Sequence, residues 1–131
     1  MKKIILLLIL SLFFITSHAQ NYIGYSLKDV SQSLDQKGFI VKKGWTTDNV
    51  FYITGKDQES LRIYYFTKNN VCVMYALTYF NWTLNDIEQS LVSTGYVKNQ
   101  DGHYYDQMHK ATAVWLSEYE AYFIIIIPQL N

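Results

Sequence analysis

The chain has 131 residues, carries 11 basic and 11 acidic side chains, and is 50% hydrophobic, with 12 Tyr, 7 Phe and 3 Trp. Balanced charge with so much apolar and aromatic content excludes intrinsic disorder, and the lack of a basic excess excludes a nucleic-acid binder that works by releasing phosphate counterions. The single Cys excludes a disulfide framework and a Cys-rich zinc module, while 1 Pro and 6 Gly exclude collagen-like and linker-like chains.

Met1-Lys2-Lys3 is a short basic start, Ile4 to Ile15 is an apolar stretch interrupted by Ser11, and Ser17-His18-Ala19 offers small residues where a signal peptidase reads. This pattern predicts a secretory signal peptide over 1–19, cleaved before Gln20. As a helix the apolar stretch would reach roughly 18 Å, too short for the ~30 Å core of a bilayer. No Cys stands at its end, and the single Cys72 lies far downstream, so the pattern lacks a lipid-attachment site. The short Lys-Lys signal and the Lys, Asn, Ile and Tyr usage are bacterial in style, so the expected destination is the periplasm or the medium. Lys2 and Lys3 leave with the signal, and the mature chain becomes slightly acidic. Residues 20–131 are expected to form a single α+β domain without a membrane span.

An internal repeat organises that domain. Tyr25 to Phe39 aligns without gaps on Trp82 to Tyr96, with identities at Leu27/Leu84, Asp29/Asp86, Gln32/Gln89, Ser33/Ser90, Leu34/Leu91 and Gly38/Gly95. The matched positions have mechanical roles. Ser26 and Thr83 are N-cap residues, and Asp29 and Asp86 supply the third helical position of a capping box. Tyr25 and Trp82 precede the caps and can staple onto Val30 and Ile87. Gly38 and Gly95 suit the left-handed residue that ends a helix, with Phe39 and Tyr96 folding back on Leu34 and Leu91. Helices are therefore predicted over about 27–37 and 84–94.

Strands follow each helix. The first unit, about 22–80, reads as strands at 39–43, 50–54, 61–67 and 71–80, and the second, about 81–128, as strands at 96–99, 103–107, 111–117 and 121–128. Short connections rich in Asn, Asp, Thr and Gly favour antiparallel hairpins. The expected fold is two tandem α-β-β-β(-β) repeats, an antiparallel sheet with two helices packed on one face. This order resembles the β-lactamase-inhibitor-protein (BLIP-like) architecture over most of residues 22–128. The resemblance implies helices on one face of the sheet and a concave opposite face offered to protein partners; no functional residue is carried over from it. Small outer-membrane assembly lipoproteins, with helices followed by three strands, are a second likeness.

Candidate chemistry is sparse. His103 and His109, six residues apart on one extended segment, would stand about 20 Å apart, too far to share a metal ion. Cys72 lies in an apolar run without a basic neighbour and reads as a buried small hydrophobe. Asp101, Asp106, Glu118 and Glu120 fall in or beside turns, and no Gly-x-Ser-x-Gly, His-Glu-x-x-His or Gly-rich phosphate loop occurs. No catalytic residue, metal or cofactor is expected.

The aromatic residues remain. Alternation puts Leu61, Ile63 and Tyr65 on one face of their strand and Arg62, Tyr64 and Phe66 on the other, and it opposes Val71, Val73, Tyr75, Leu77 and Tyr79 to Cys72, Met74, Ala76, Thr78 and Phe80. Two short helices can cover only one side of such a sheet. The surplus face is expected to hold a protein or peptide partner, with Arg62, Tyr64, Phe66 and Trp115 as its candidate binding residues. The function expected is a non-catalytic exported binding module. The alternative is a homodimeric structural or assembly factor of the bacterial cell envelope, and a small-molecule carrier or enzyme comes third.

Overall fold

The computed structural model describes residues 22–129; the expected signal peptide, 1–19, lies outside the described residues. Ser26 and Thr83 start the two helices, α1 (Leu27–Gln36) and α2 (Leu84–Ser93). The Ser26 hydroxyl accepts the N–H of Asp29 at 3.1 Å. At α2 the exchange is reciprocal: Thr83 Oγ1 accepts the N–H of Asp86 at 3.2 Å, and the Asp86 carboxylate accepts the N–H of Thr83 at 2.9 Å. Both helices end alike, on Gly38 (φ 81°) and Gly95 (φ 99°). Phe39 then donates its N–H to the Leu34 carbonyl at 3.1 Å, and Tyr96 to that of Leu91 at 3.0 Å, which completes a Schellman close at each. Trp82 packs with Ile87 as a staple does, whereas Tyr25 turns to meet Tyr22 edge-on at 5.4 Å.

The strands are β1 (Ile40–Trp45), β2 (Phe51–Lys56), β3 (Ser60–Phe66), β4 (Cys72–Tyr79), β5 (Val97–Lys98), β6 (Tyr104–Tyr105), β7 (His109–Leu116) and β8 (Ala121–Pro128). They form one antiparallel sheet in the order β1-β2-β3-β4-β8-β7-β6-β5, so the protein is an α+β fold in which two four-stranded meanders meet through their last strands. β5 and β6 are shorter than their sequence suggests. The Asp106 carboxylate captures the N–H groups of Met108 (2.8 Å) and His109 (2.6 Å), drawing the chain into a turn where the ladder would otherwise continue. The β4–β8 ladder pairs only Tyr75 to Leu77 with Ile126 to Ile124. Just beyond it, the buried Thr78 hydroxyl donates to the Tyr122 carbonyl at 2.6 Å and extends the seam by a side chain.

Residues paired across strands share a face, so one transverse row locates both helices. Ile53, Tyr64, Tyr75, Ile126, Ala111 and Tyr104 are successive partners across β2, β3, β4, β8, β7 and β6. Val30 and Leu34 of α1 pack on Ile53 and Tyr64 at one end of that row; Ile87 and Leu91 of α2 pack on Ala111 and Ile126 at the other. Both helices therefore lie on one face, and Tyr75 belongs to both clusters. Gly55 makes the α1 contact possible. A Cβ there would stand 3.1 Å from Leu34 Cδ2, so the missing side chain is the space Leu34 occupies.

Strict alternation fails once, in β4. Tyr65 pairs with Met74 but Phe66 pairs with Cys72, which leaves Val73 as the extra residue of a bulge. The bulge places Cys72 on the helix-bearing face with Tyr75, although Met74, two residues along, faces the other way. Cys72 is fully buried under α1, and burial pushes its thiol up to about 11.

Candidate functional site

The surplus sheet face exists, but it is the opposite one from the face that carries the expected residues. Tyr64 and Phe66 are 1% and 3% exposed in the cluster under α1, where no partner can reach them. Arg62 shares their face. It is half-buried, with its guanidinium 4.8 Å from the Phe39 ring centroid, where it serves as a cover for the residue that closes α1. Trp115 pairs across β7–β8 with Tyr122, on the helix-bearing side, and meets it edge-on at 4.9 Å. It is exposed, but it stands apart from Arg62, at the far end of β7. The four residues thus form no common surface. Alternation sorted β3 correctly into two sets, and only the choice of set was wrong.

The face away from the helices carries a third cluster: Leu61, Ile63, Ala76 and Phe123, with Tyr52, Tyr65, Leu116, Ala121 and Ile125 packed around them. Register explains the set. Thr54, Ile63, Ala76, Ile125 and Thr112 are successive partners across β2, β3, β4, β8 and β7. Among the described residues no helix packs on this cluster, yet Phe123 is fully buried. Large rings account for that. Tyr119, from the turn between β7 and β8, lies 5.4 Å from the Phe123 ring, and Tyr52 lies 6.2 Å from Tyr65. Burial raises the pKa of the Tyr119 hydroxyl, with further contributions from Glu118, Tyr65 and Tyr52. Gly44 in β1 belongs to the same construction, because a Cβ there would meet the Tyr52 hydroxyl at 2.5 Å. The sequence signal for this surface was the aromatic and apolar set Tyr52, Tyr65 and Phe123. What it lacked was the register that joins them.

The arrangement suits contact with apolar and aromatic surface. Half-buried rings and aliphatic side chains provide area, while the tyrosine hydroxyls at its edge can donate or accept hydrogen bonds. The polar residues elsewhere are tied into local structure. His103 Nδ1 meets Thr112 Oγ1 at 2.9 Å, whereas His109 Nδ1 meets Asp106 at 3.2 Å, so the two rings serve separate partners. Asp101 accepts from the Tyr105 hydroxyl at 2.6 Å and the His103 N–H at 2.9 Å, which holds its carboxyl below the ordinary range. Glu118 and Glu120 are exposed in the β7–β8 turn. Among the described residues, no three His, Cys, Asp or Glu side chains form a group that could hold a metal ion, and no helix is long and apolar enough to cross a membrane. Comparison with protein-family models, with curated proteins and with solved structures finds no match to this chain.

Proposed function

We propose that this protein is a non-catalytic exported binding module whose sheet face away from α1 and α2 holds a protein or peptide. One observation carries the reading: a third apolar cluster on a face over which no helix packs among the described residues, roofed by half-buried and exposed tyrosines. Tyrosines around a desolvated apolar centre are the composition of binding hot spots. The resemblance to the BLIP-like architecture supports the same face. The reading also takes the two α-β-β-β-β units as tandem repeats, supported by their matched caps and Schellman closes.

The test uses mature protein carrying Tyr119→Ser together with Tyr52→Ser. The expected result is a folded protein, by circular dichroism and thermal unfolding, that no longer captures from the native envelope or medium the partner held by the unaltered protein. Undiminished capture by the double variant would refute this face. A stable homodimer of unaltered protein at low micromolar concentration, dissociated by the same substitutions, would assign the face to self-association.

A further inference from the structure

β1 ends the sheet on one side and is six residues long, whereas β5, which ends it on the other, has two. A full-length edge strand presents unpaired backbone groups, and their identity follows from the ladder phase. Thr46 donates its N–H to the Val50 carbonyl at 2.9 Å, which makes Thr46 and Val50 a hydrogen-bonded pair. Such pairs alternate along an antiparallel ladder, so Gly44, Lys42 and Ile40 bond to β2, while the N–H and C=O groups of Val41, Lys43 and Trp45 point outward. Among the described residues nothing pairs with that edge.

The side chains state what would. Ile40 and Trp45, at the two ends of β1, are 66% and 67% exposed. Lys42 and Lys43 stand exposed between them, one on each face of the sheet, and Lys56 of β2 lies opposite Ile40. The two strands together hold no acidic residue, and neither Lys42 nor Lys43 has an ion-pair partner among the described residues. Lysines on an open edge discourage a second copy of the same strand. Antiparallel self-pairing centred on Lys43 would oppose Lys43 to Lys43.

We propose that β1 receives an extended peptide segment of another protein as a ninth strand, and that this segment carries two adjacent acidic residues flanked on both sides by apolar ones. The outward groups of Val41, Lys43 and Trp45 supply the ladder. The acidic pair meets Lys42 and Lys43 on opposite faces, and the flanking apolar residues lie beside Ile40 and Trp45. The inference is independent of the face proposed above, since no residue of the third apolar cluster is needed for it.

Two blocked eight-residue peptides, identical except for a central Asp-Glu or Lys-Lys, test the idea by titration against the mature protein with backbone amide exchange as readout. The Asp-Glu peptide should bind at least about tenfold more tightly, the sum expected of two cross-strand charge pairs made favourable in one peptide and repulsive in the other. It should slow exchange at Val41, Lys43 and Trp45. Lys42→Glu with Lys43→Glu should invert the preference without changing the fold, and Lys43→Pro, which removes an outward N–H and no β1–β2 bond, should abolish binding of both peptides. Equal affinity for the two peptides, no binding of the Asp-Glu peptide at millimolar concentration, binding without protection of those amides, or pairing of β1 with a second copy would each overturn the proposal.

Discussion

The Tyr64 and Tyr75 rings lie 5.6 Å apart, and their contact joins the core beneath α1 to the core beneath α2. The two residues are direct partners on β3 and β4, and Tyr75 is in turn the partner of Ile126 on β8. Burial raises the pKa of both hydroxyls, as expected of phenols enclosed by apolar neighbours. The β4–β8 ladder pairs only three residues of each strand, and Tyr75, packed in both cores, adds apolar contact across that seam.

Replacing Tyr75 therefore tests whether the halves fold as one unit. Tyr75→Ala should cost about 3 kcal/mol, in the range of large-to-small core substitutions, and Tyr75→Phe less than about 1.5 kcal/mol because the ring contact survives. Urea unfolding followed by fluorescence and by circular dichroism should stay coincident for Tyr75→Phe. Two separated transitions in Tyr75→Ala would show that the contact also carries the cooperativity.

Thr78 makes the second link across the seam. Thr78→Val keeps the shape and removes the donor, so the Tyr122 carbonyl loses its 2.6 Å partner in a buried setting. The expected cost is about 1–3 kcal/mol, the penalty for an unsatisfied buried acceptor. Thr78→Ser, which keeps the hydroxyl, should recover most of it. A larger loss in Thr78→Ser than in Thr78→Val would mean that the methyl group, not the hydrogen bond, matters.

Much of the fold was legible because its signals are local. Caps, staples and the closing glycines lie within one or two helical turns, and both helices appear where those residues place them. The alternating runs likewise gave the strands of both units. Face and strand order are set by partners distant in the chain, and period alone could not supply them. Arg62, Tyr64 and Phe66 were read as the free side of β3 because parity separates two sets without naming the one a helix will cover. Within β4 the bulge at Val73 broke parity itself and moved Cys72 to the helix-bearing face. The small residue that could have oriented β2 was Gly55, since a strand glycine marks a close approach, but only the register linking it to Arg62 would have carried that hint to β3.

The close approach itself can be measured. Gly55→Ala puts a methyl group 3.1 Å from Leu34 Cδ2 and should destabilise by about 1–3 kcal/mol through overpacking. Leu34→Ala alone should cost about 2–5 kcal/mol as a cavity. In the double variant the new methyl group occupies part of the space Leu34 leaves, so the combined loss should be smaller than the sum of the two. Additive losses in a double-mutant cycle would show that Gly55 and Leu34 do not share that space.

The pH dependence should have two limbs of different origin. On the acid side, Asp106 is held below its ordinary value of 3.8: burial raises it, but the N–H groups of Met108 and His109 and the His109 side chain outweigh that effect. Asp101 and Asp86 are lowered by their hydrogen bonds. Carboxyls depressed in the folded state contribute stability above their unfolded pKa and lose it as pH falls through the folded one, so unfolding should become easier below about pH 4. Asp106→Asn should flatten that limb.

On the alkaline side the sign reverses. Burial raises the Cys72 thiol from 9.0 to about 11 and the Tyr96 hydroxyl from 10.0 to about 12. A group whose folded pKa is raised contributes stability fully below its unfolded value and loses it as pH climbs through the folded one. The thiol is fully buried, so its contribution should begin to fall near pH 9, before that of the tyrosines. Chemical denaturation between pH 7 and 11 should therefore show a decline that starts earlier in the unaltered protein than in Cys72→Ala, once each is normalised to its own stability at pH 7. A thiol reagent supplies the independent check, because Cys72 should react only at the rate at which the core beneath α1 opens, and a rapid reaction in the native state would contradict its burial.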